Sequence, residues 1–152
     1  MTRTSLQAHH CSLARTVDII GDKWSLMILR DAFYGLRSFS AFQSSLGIAK
    51  TVLSDRLQTL SDGGILDRVR AREGVERYEY RLTPAGRDLF PIVIALVQWG
   101  DRWIFGHGYE PLQIVNLATS APIRTVSVQS RDGEDLLPQQ VGFAEAPQRV
   151  AD

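Results

Sequence analysis

The stretch SFSAFQSSLGIAKTVLSDRLQTLSDGGIL, residues 38–66, decides the fold. Within it Leu53, Leu57 and Leu60 recur at i, i+4 and i+7, which predicts a helix over Lys50–Asp62 with one apolar face. Upstream, Ser40 and Gln43 have the spacing of a capping box, which predicts a short helix over Ala41–Leu46. Gly47 separates the two helices, and Gly63-Gly64 ends the second. Two short helices joined by a tight turn containing glycine are a helix-turn-helix. Burying the three leucines turns Thr51, Ser54, Asp55 and Gln58 outward at about 100° per residue, with Lys50 and Arg56 flanking. Hydroxyls, an amide and cations of this kind can meet base edges and phosphates in a major groove.

The neighbouring sequence extends the pattern on both sides. Leu13, Val17 and Ile20 form the stripe of a helix that Gly21 ends, and Asp22 then caps an apolar helix over Lys23–Tyr34. After Gly64 the period changes from helical to alternating. This predicts strands over Ile65–Arg70 and Arg77–Leu82, with Ala71–Glu76 as an exposed hairpin tip. Tyr78, Tyr80 and Leu82 share one face of the second strand, while Arg77, Glu79 and Arg81 share the other. Thr83-Pro84 starts a helix expected to reach Phe105, bent near Pro91. Its stripes are Leu89, Val93, Leu96 and Trp103 on one side and Phe90, Ile94, Val97 and Ile104 on the other. That is more apolar surface than one domain covers, and a second subunit accounts for the excess.

Composition sets the class. The chain has 152 residues, 44% of them hydrophobic, with 17 Lys+Arg against 17 Asp+Glu, so a polyanion has to be met by a local patch. Charge is sorted along the chain: residues 37–87 carry nine Lys/Arg against six Asp/Glu, and residues 110–152 three against six. Arg68, Arg70, Arg72 and Arg77 gather on or beside the hairpin tip, and Arg37 precedes the first helix of the motif. Scattered solvated charge is the bland alternative. The single cysteine, Cys11, suits a reducing cytoplasm. Residues 1–10 read as a flexible N-terminus with no secretory leader. The longest strongly apolar uncharged stretch, Leu89–Gly100, is interrupted by Pro91 and far short of the ~20 residues of a bilayer span, so no membrane association is expected.

The runs Cys11–Thr16, Ile20–Ser25, Arg37–Ser40, Val52–Leu57, Gly64–Leu66 and Tyr78–Gly86, with Trp99-Gly100, resemble the HxlR family of MarR-like winged helix-turn-helix transcriptional regulators. The resemblance covers about Cys11 to Ile104. It implies a bacterial-type, homodimeric repressor or activator that binds double-stranded DNA, with the first and last helices at the dimer contact and the β-ribbon as a wing. The expected organisation is a flexible segment 1–10, a DNA-binding and dimerisation domain 11–106, and a β-rich C-terminal extension 107–152. The fold class is mainly α with a small β-ribbon. The DNA-binding set is Arg37, Ser40, Lys50, Thr51, Ser54, Asp55, Arg56, Gln58, Arg68, Arg70, Arg72 and Arg77. Two residues depart from the family pattern. Ala49 stands where a capping serine is usual, at a cost of about 1 kcal/mol, and Ser12 replaces a proline.

Other chemistry is thinly represented. Cys11 reads either as an oxidant sensor, as in some similar regulators, with His9 and His10 nearby, or as a small core residue at a helix start. The tail over 114–136 resembles an extension that carries zinc-binding Cys and His in some relatives, but Thr119, Ala121, Gln129 and Asp132 stand at those places, so no metal and no cofactor are expected. Trp24, Phe33, Tyr34, Trp99 and Trp103 could line a pocket for a small aromatic effector, or be plain core. No phosphate loop, nucleophile elbow or carboxylate pair points to an enzyme. The leading alternative is a winged-helix protein-interaction module that does not bind DNA. An enzyme acting through Cys11 comes last.

Overall fold

The computed structural model describes residues 5–72 and 76–144. The chain divides into two compact units, residues 1–97 and 98–152. In the first, α1 (Ser12–Ile20), α2 (Lys23–Phe33), α3 (Phe39–Leu46) and α4 (Lys50–Asp62) precede an antiparallel pair, β1 (Leu66–Arg70) and β2 (Tyr78–Leu82). The helices α5 (Pro84–Asp88) and α6 (Phe90–Gly100) follow. The expected hairpin tip spans residues 71–76, of which 73–75 lie outside the described residues, as do 1–4 of the N-terminus and 145–152 of the tail.

The core is the meeting of the apolar faces read from the sequence. Leu53, Leu57 and Leu60 of α4 are fully buried with Ile28 and Leu29 of α2 and Phe42 of α3. Asp22 caps α2 by accepting from the N–H groups of Trp24 and Ser25. Gly47, at φ +63°, ends α3 in the left-handed region that glycine enters without strain. Ala49 leaves α4 without a side-chain cap, and the helix still starts at Lys50.

Three local expectations are corrected. Helix α3 begins at Phe39 rather than Ala41, because Ser38, not Ser40, is its cap and accepts from the Ala41 N–H at 3.2 Å. Ser38 is held extended by its bridge to Glu79, which fixes the start two residues early. The single helix expected over residues 83–105 is interrupted at Leu89, after Thr83 caps α5. Pro91 has no N–H to give the Arg87 carbonyl, so the chain makes a tighter turn there, with Leu89 N–H on the Gly86 carbonyl. Residues Asp101–Phe105 then widen into a π-helical turn closed by the Gly106 N–H on the Asp101 carbonyl. These two irregularities reassign the stripes. Leu89 and Val93 join the core cluster and Ile94 is also buried, whereas Phe90 and Leu96 are exposed, as are Trp103 and Ile104.

Two contacts set the ribbon against the helices. The Tyr80 N–H donates to the Arg37 carbonyl at 2.7 Å, beside the Ser38–Glu79 bridge, so the turn before α3 serves as an edge for β2. At the other end Thr83 Oγ1 donates to the Gly64 carbonyl at 2.7 Å and accepts from the Gly86 N–H at 3.0 Å. Gly86 has to be glycine here, since a Cβ would lie 2.2 Å from the Ile65 carbonyl oxygen.

In the second unit the Gln98 amide clamps residues 124–126, donating to the Arg124 carbonyl and accepting from the Val126 N–H. Asp135 accepts from Ser127 Oγ and Gln129 Nε2, and these bonds hold its carboxyl below the usual aspartate range. The β-rich tail expected from the β-branched runs shows isolated bridges among its described residues, Val115 to Pro122 and Gln129 to Asp135, in place of strands. Pro122 cannot donate to a ladder, and Val126 and Val128 stay exposed with no apolar layer over them.

Candidate nucleic-acid interface

Helix α4 presents two unlike faces. Opposite the buried leucines, Lys50, Thr51, Ser54, Asp55 and Gln58 are all exposed. Gln58 Nε2 donates to Asp62 Oδ1 at 2.7 Å, which orients the amide along the helix surface and adds Asp62 to this face. Arg56 does not share it. Its side chain is largely buried and its Nε lies 3.9 Å from Asp22 Oδ1, so this cation ties α4 to the start of α2. The sequence placed Arg56 on the flank, and only the position of Asp22 decides which way it turns.

The β1–β2 register places Leu66 opposite Leu82, Arg68 opposite Tyr80 and Arg70 opposite Tyr78. Directly opposed residues share a face, so the face is apolar at its base and carries arginine and tyrosine toward the tip. The Arg68 guanidinium lies 4.0 Å from the centre of the Tyr78 ring, a cation–π contact that stiffens the side chain while leaving it exposed. Tyr78 was not among the residues singled out from the sequence, although its place on the face of Tyr80 and Leu82 could have indicated it. Arg70, Arg72 and Arg77 are exposed, and the Ala71 N–H on the Arg77 carbonyl keeps the two strands together beyond the ladder. Arg37 and Ser40 are exposed at the start of α3, where Ser40 Oγ lies 3.2 Å from Ser38 Oγ.

The five aromatic residues considered for an effector pocket fall in both units. Trp24 is partly buried against the core and Phe33 meets Phe90 edge-on at 5.0 Å, while Tyr34 is exposed. Trp99 and Trp103 belong to the second unit and are also exposed. Neither of two recesses is lined by any of the five. One, of about 710 Å³, lies in the second unit between Asp101, Arg102, Glu110 and Ile123. The other, of about 280 Å³, lies in the first unit beside β2. Cys11 occupies the N-cap position of α1 and is exposed, which corrects its reading as a core residue. Among the described residues no cluster of His, Cys, Asp and Glu could hold a metal, and no helix is long and apolar enough to cross a membrane.

Residues 19–107 match the HxlR-like helix-turn-helix family. The chain is 46% identical over 93 residues to an uncharacterized HTH-type transcriptional regulator of Mycobacterium tuberculosis, Rv3095, a match covering 61% of this chain and 59% of that protein's length. The crystal structure of PA1607, described as a transcription-factor candidate, superposes with a TM-score of 0.87 at 38% identity, covering 94% of this chain and 100% of that one. The redox regulator HypR in its reduced form superposes with a TM-score of 0.56 at 30% identity, covering 62% of this chain and 96% of that one.

Proposed function

Because the chain belongs to the HxlR-like helix-turn-helix family, and so is a transcriptional regulator of helix-turn-helix type, we propose that it works as a homodimer on a near-palindromic operator. In this reading α4 enters the major groove with Thr51, Ser54, Asp55 and Gln58 at base edges, while Lys50, Arg37 and Ser40 meet phosphates. Arg68, Arg70, Arg72 and Arg77 of the ribbon contact the flank. The observation that carries it is the face of α4. Exposed polar side chains stand opposite three fully buried leucines, so nothing in the core competes for them. Half-sites lie about 34 Å apart or at a multiple of it.

Dimerisation draws support from apolar surface left open on α1 and α6. Leu13 is 71% exposed and Val17 lies one turn further along α1, while Ile92, Leu96 and Trp99 follow each other at i, i+4 and i+7 on α6. A row of this kind costs solvation unless a second copy covers it.

Labelled DNA from the region upstream of its own gene, titrated at two salt concentrations, tests DNA binding. Affinity falls steeply with salt, and Arg70→Ala lowers the salt slope by about one while weakening binding to all sequences alike. Undetectable binding, or an unchanged slope in the variant, contradicts the reading.

Release of DNA is proposed to follow either a small effector or oxidation of Cys11. The thiol route is supported by the exposure of Cys11 and by the similarity to a redox regulator. Mild peroxide then weakens DNA binding by the wild type and leaves Cys11→Ser unaffected. Equal loss in both proteins rules the thiol out.

A further inference from the structure

The recess of about 710 Å³ in the second unit is walled by Gln98 at the end of α6, by the π-helical turn that follows and by the chain from His107 to Thr125. Two contacts hold these walls in place. The Gln98 amide clamps residues 124–126, and the Ile123 N–H donates to the Ile114 carbonyl at 3.1 Å, which sets those two side chains beside each other in one wall. Charges of both signs stand around the space without neutralising one another. Asp101 and Arg102 are consecutive on the π-helical turn, yet neither side chain makes a hydrogen bond or ion pair among the described residues. The Arg102 guanidinium lies 5.2 Å from the centre of the Trp103 ring, which steadies it and leaves its donors unused. Glu110 Oε1 accepts from the Gly108 N–H at 3.1 Å, with His107 Nδ1 3.7 Å away, and Oε2 is left over. The N–H groups of Glu110 itself and of Gly108 hold this carboxyl below the usual glutamate range, so it is ionised at neutral pH. Leu112, Ile114 and Ile123 supply apolar surface, and Leu112 is 70% exposed.

Two carboxylates with oxygens to spare and one free guanidinium, set beside an apolar wall, select a ligand that carries both charges and an apolar body. Adjacent residues of a helical turn diverge by roughly a quarter turn, so the Asp101 and Arg102 charges stand apart. That suits charged ends separated by a peptide unit better than the single carbon between the two charges of a free amino acid. The space equals that of about 24 waters at about 30 Å³ each, more than one free amino acid fills. We propose that this recess binds a short apolar peptide with free termini, two or three residues long. Its ammonium meets Asp101 and Glu110, its carboxylate meets Arg102, and its side chains lie against Leu112, Ile114 and Ile123. Every group involved belongs to the second unit, so binding does not depend on how the first unit meets DNA.

Isothermal titration of the full chain without DNA tests the site, with leucyl-leucine as the probe. Three comparison ligands each remove one feature: N-acetyl-leucyl-leucine lacks the ammonium, leucyl-leucinamide lacks the carboxylate, and glycyl-glycine lacks the apolar side chains. Leucyl-leucine gives saturable heat and binds at least about tenfold tighter than any of the three. Asp101→Asn weakens leucyl-leucine about tenfold and brings it within about threefold of its acetylated form, while Arg102→Gln weakens it about tenfold and brings it within about threefold of the amide. Both variants melt at the wild-type temperature, since neither side chain is engaged by the rest of the described chain. A purely structural role for either residue would weaken all four ligands alike and leave these preferences unchanged. No saturable heat, a comparison ligand that binds as tightly as leucyl-leucine, or unchanged preferences in either folded variant overturns the proposal.

Discussion

Phe42→Ala lowers the unfolding free energy by about 3–5 kcal/mol, a large fraction of the about 5–15 kcal/mol available to a domain of this kind. Phe42 is the one buried residue of α3, at 0% exposure, and it lies in the same cluster as Leu53 and Leu57. An eight-residue helix is not stable through its own hydrogen bonds, so the ring is what holds α3 at its angle to α4. Removing it forfeits the transfer energy of the ring and leaves a cavity that α2 and α4, already packed on each other, cannot collapse to fill. Denaturant unfolding at fixed protein concentration measures the change as a lower midpoint with an unchanged slope. Ser40→Ala, two residues away on the exposed side of the same helix, stays within about 0.5 kcal/mol of wild type. If Phe42→Ala proved as mild as Ser40→Ala, α3 would be anchored by something other than its buried ring.

What could be read from the sequence was what is encoded within a few residues. The leucines of α4 announce their helix and its buried side because 3.6-residue periodicity is local. Thr83-Pro84 and the alternation of Tyr78, Tyr80 and Leu82 are local in the same sense, and both appear as read. The misplaced features each depend on a partner distant in sequence. Ser38 caps α3 in preference to Ser40 because Glu79 holds its backbone extended. Arg56 turns inward because Asp22 sits at the start of another helix. The stripes of α6 shifted because a missing amide at Pro91 and a π-helical turn at Asp101 reset the angular period that the reading assumed constant. The recess beside β2 left no trace in the sequence. Arg37 and Arg87 are brought to one place only by the hydrogen bond from Tyr80 to the Arg37 carbonyl and by the turn that Thr83 closes.

Ser54→Glu weakens operator binding by more than about a hundredfold, because a carboxylate pressed against the groove edge and the phosphates meets like-charge repulsion of several kcal/mol. Ser54 is exposed, no side-chain hydrogen bond engages it among the described residues, and glutamate is a better helix former than serine. The fold is therefore unchanged to within about 0.5 kcal/mol, and any loss of affinity reports on the contact surface. Added charge alone is separated by Gln139→Glu, which places the same carboxylate on an exposed residue of the second unit, outside the proposed interface. The wild-type chain is formally neutral, so each variant carries the same extra negative charge per protomer. Gln139 is not among the residues assigned to the DNA contact, and Gln139→Glu accordingly changes affinity less than about threefold, the expected effect of one added charge that salt screens. A gel-shift titration of the three proteins at one ionic strength decides between the two accounts. Equal weakening by both variants assigns the effect to overall charge and removes α4 from the groove. Loss confined to Ser54→Glu means that the outward face of α4, kept free of the core by Leu53, Leu57 and Leu60, is the surface that meets DNA.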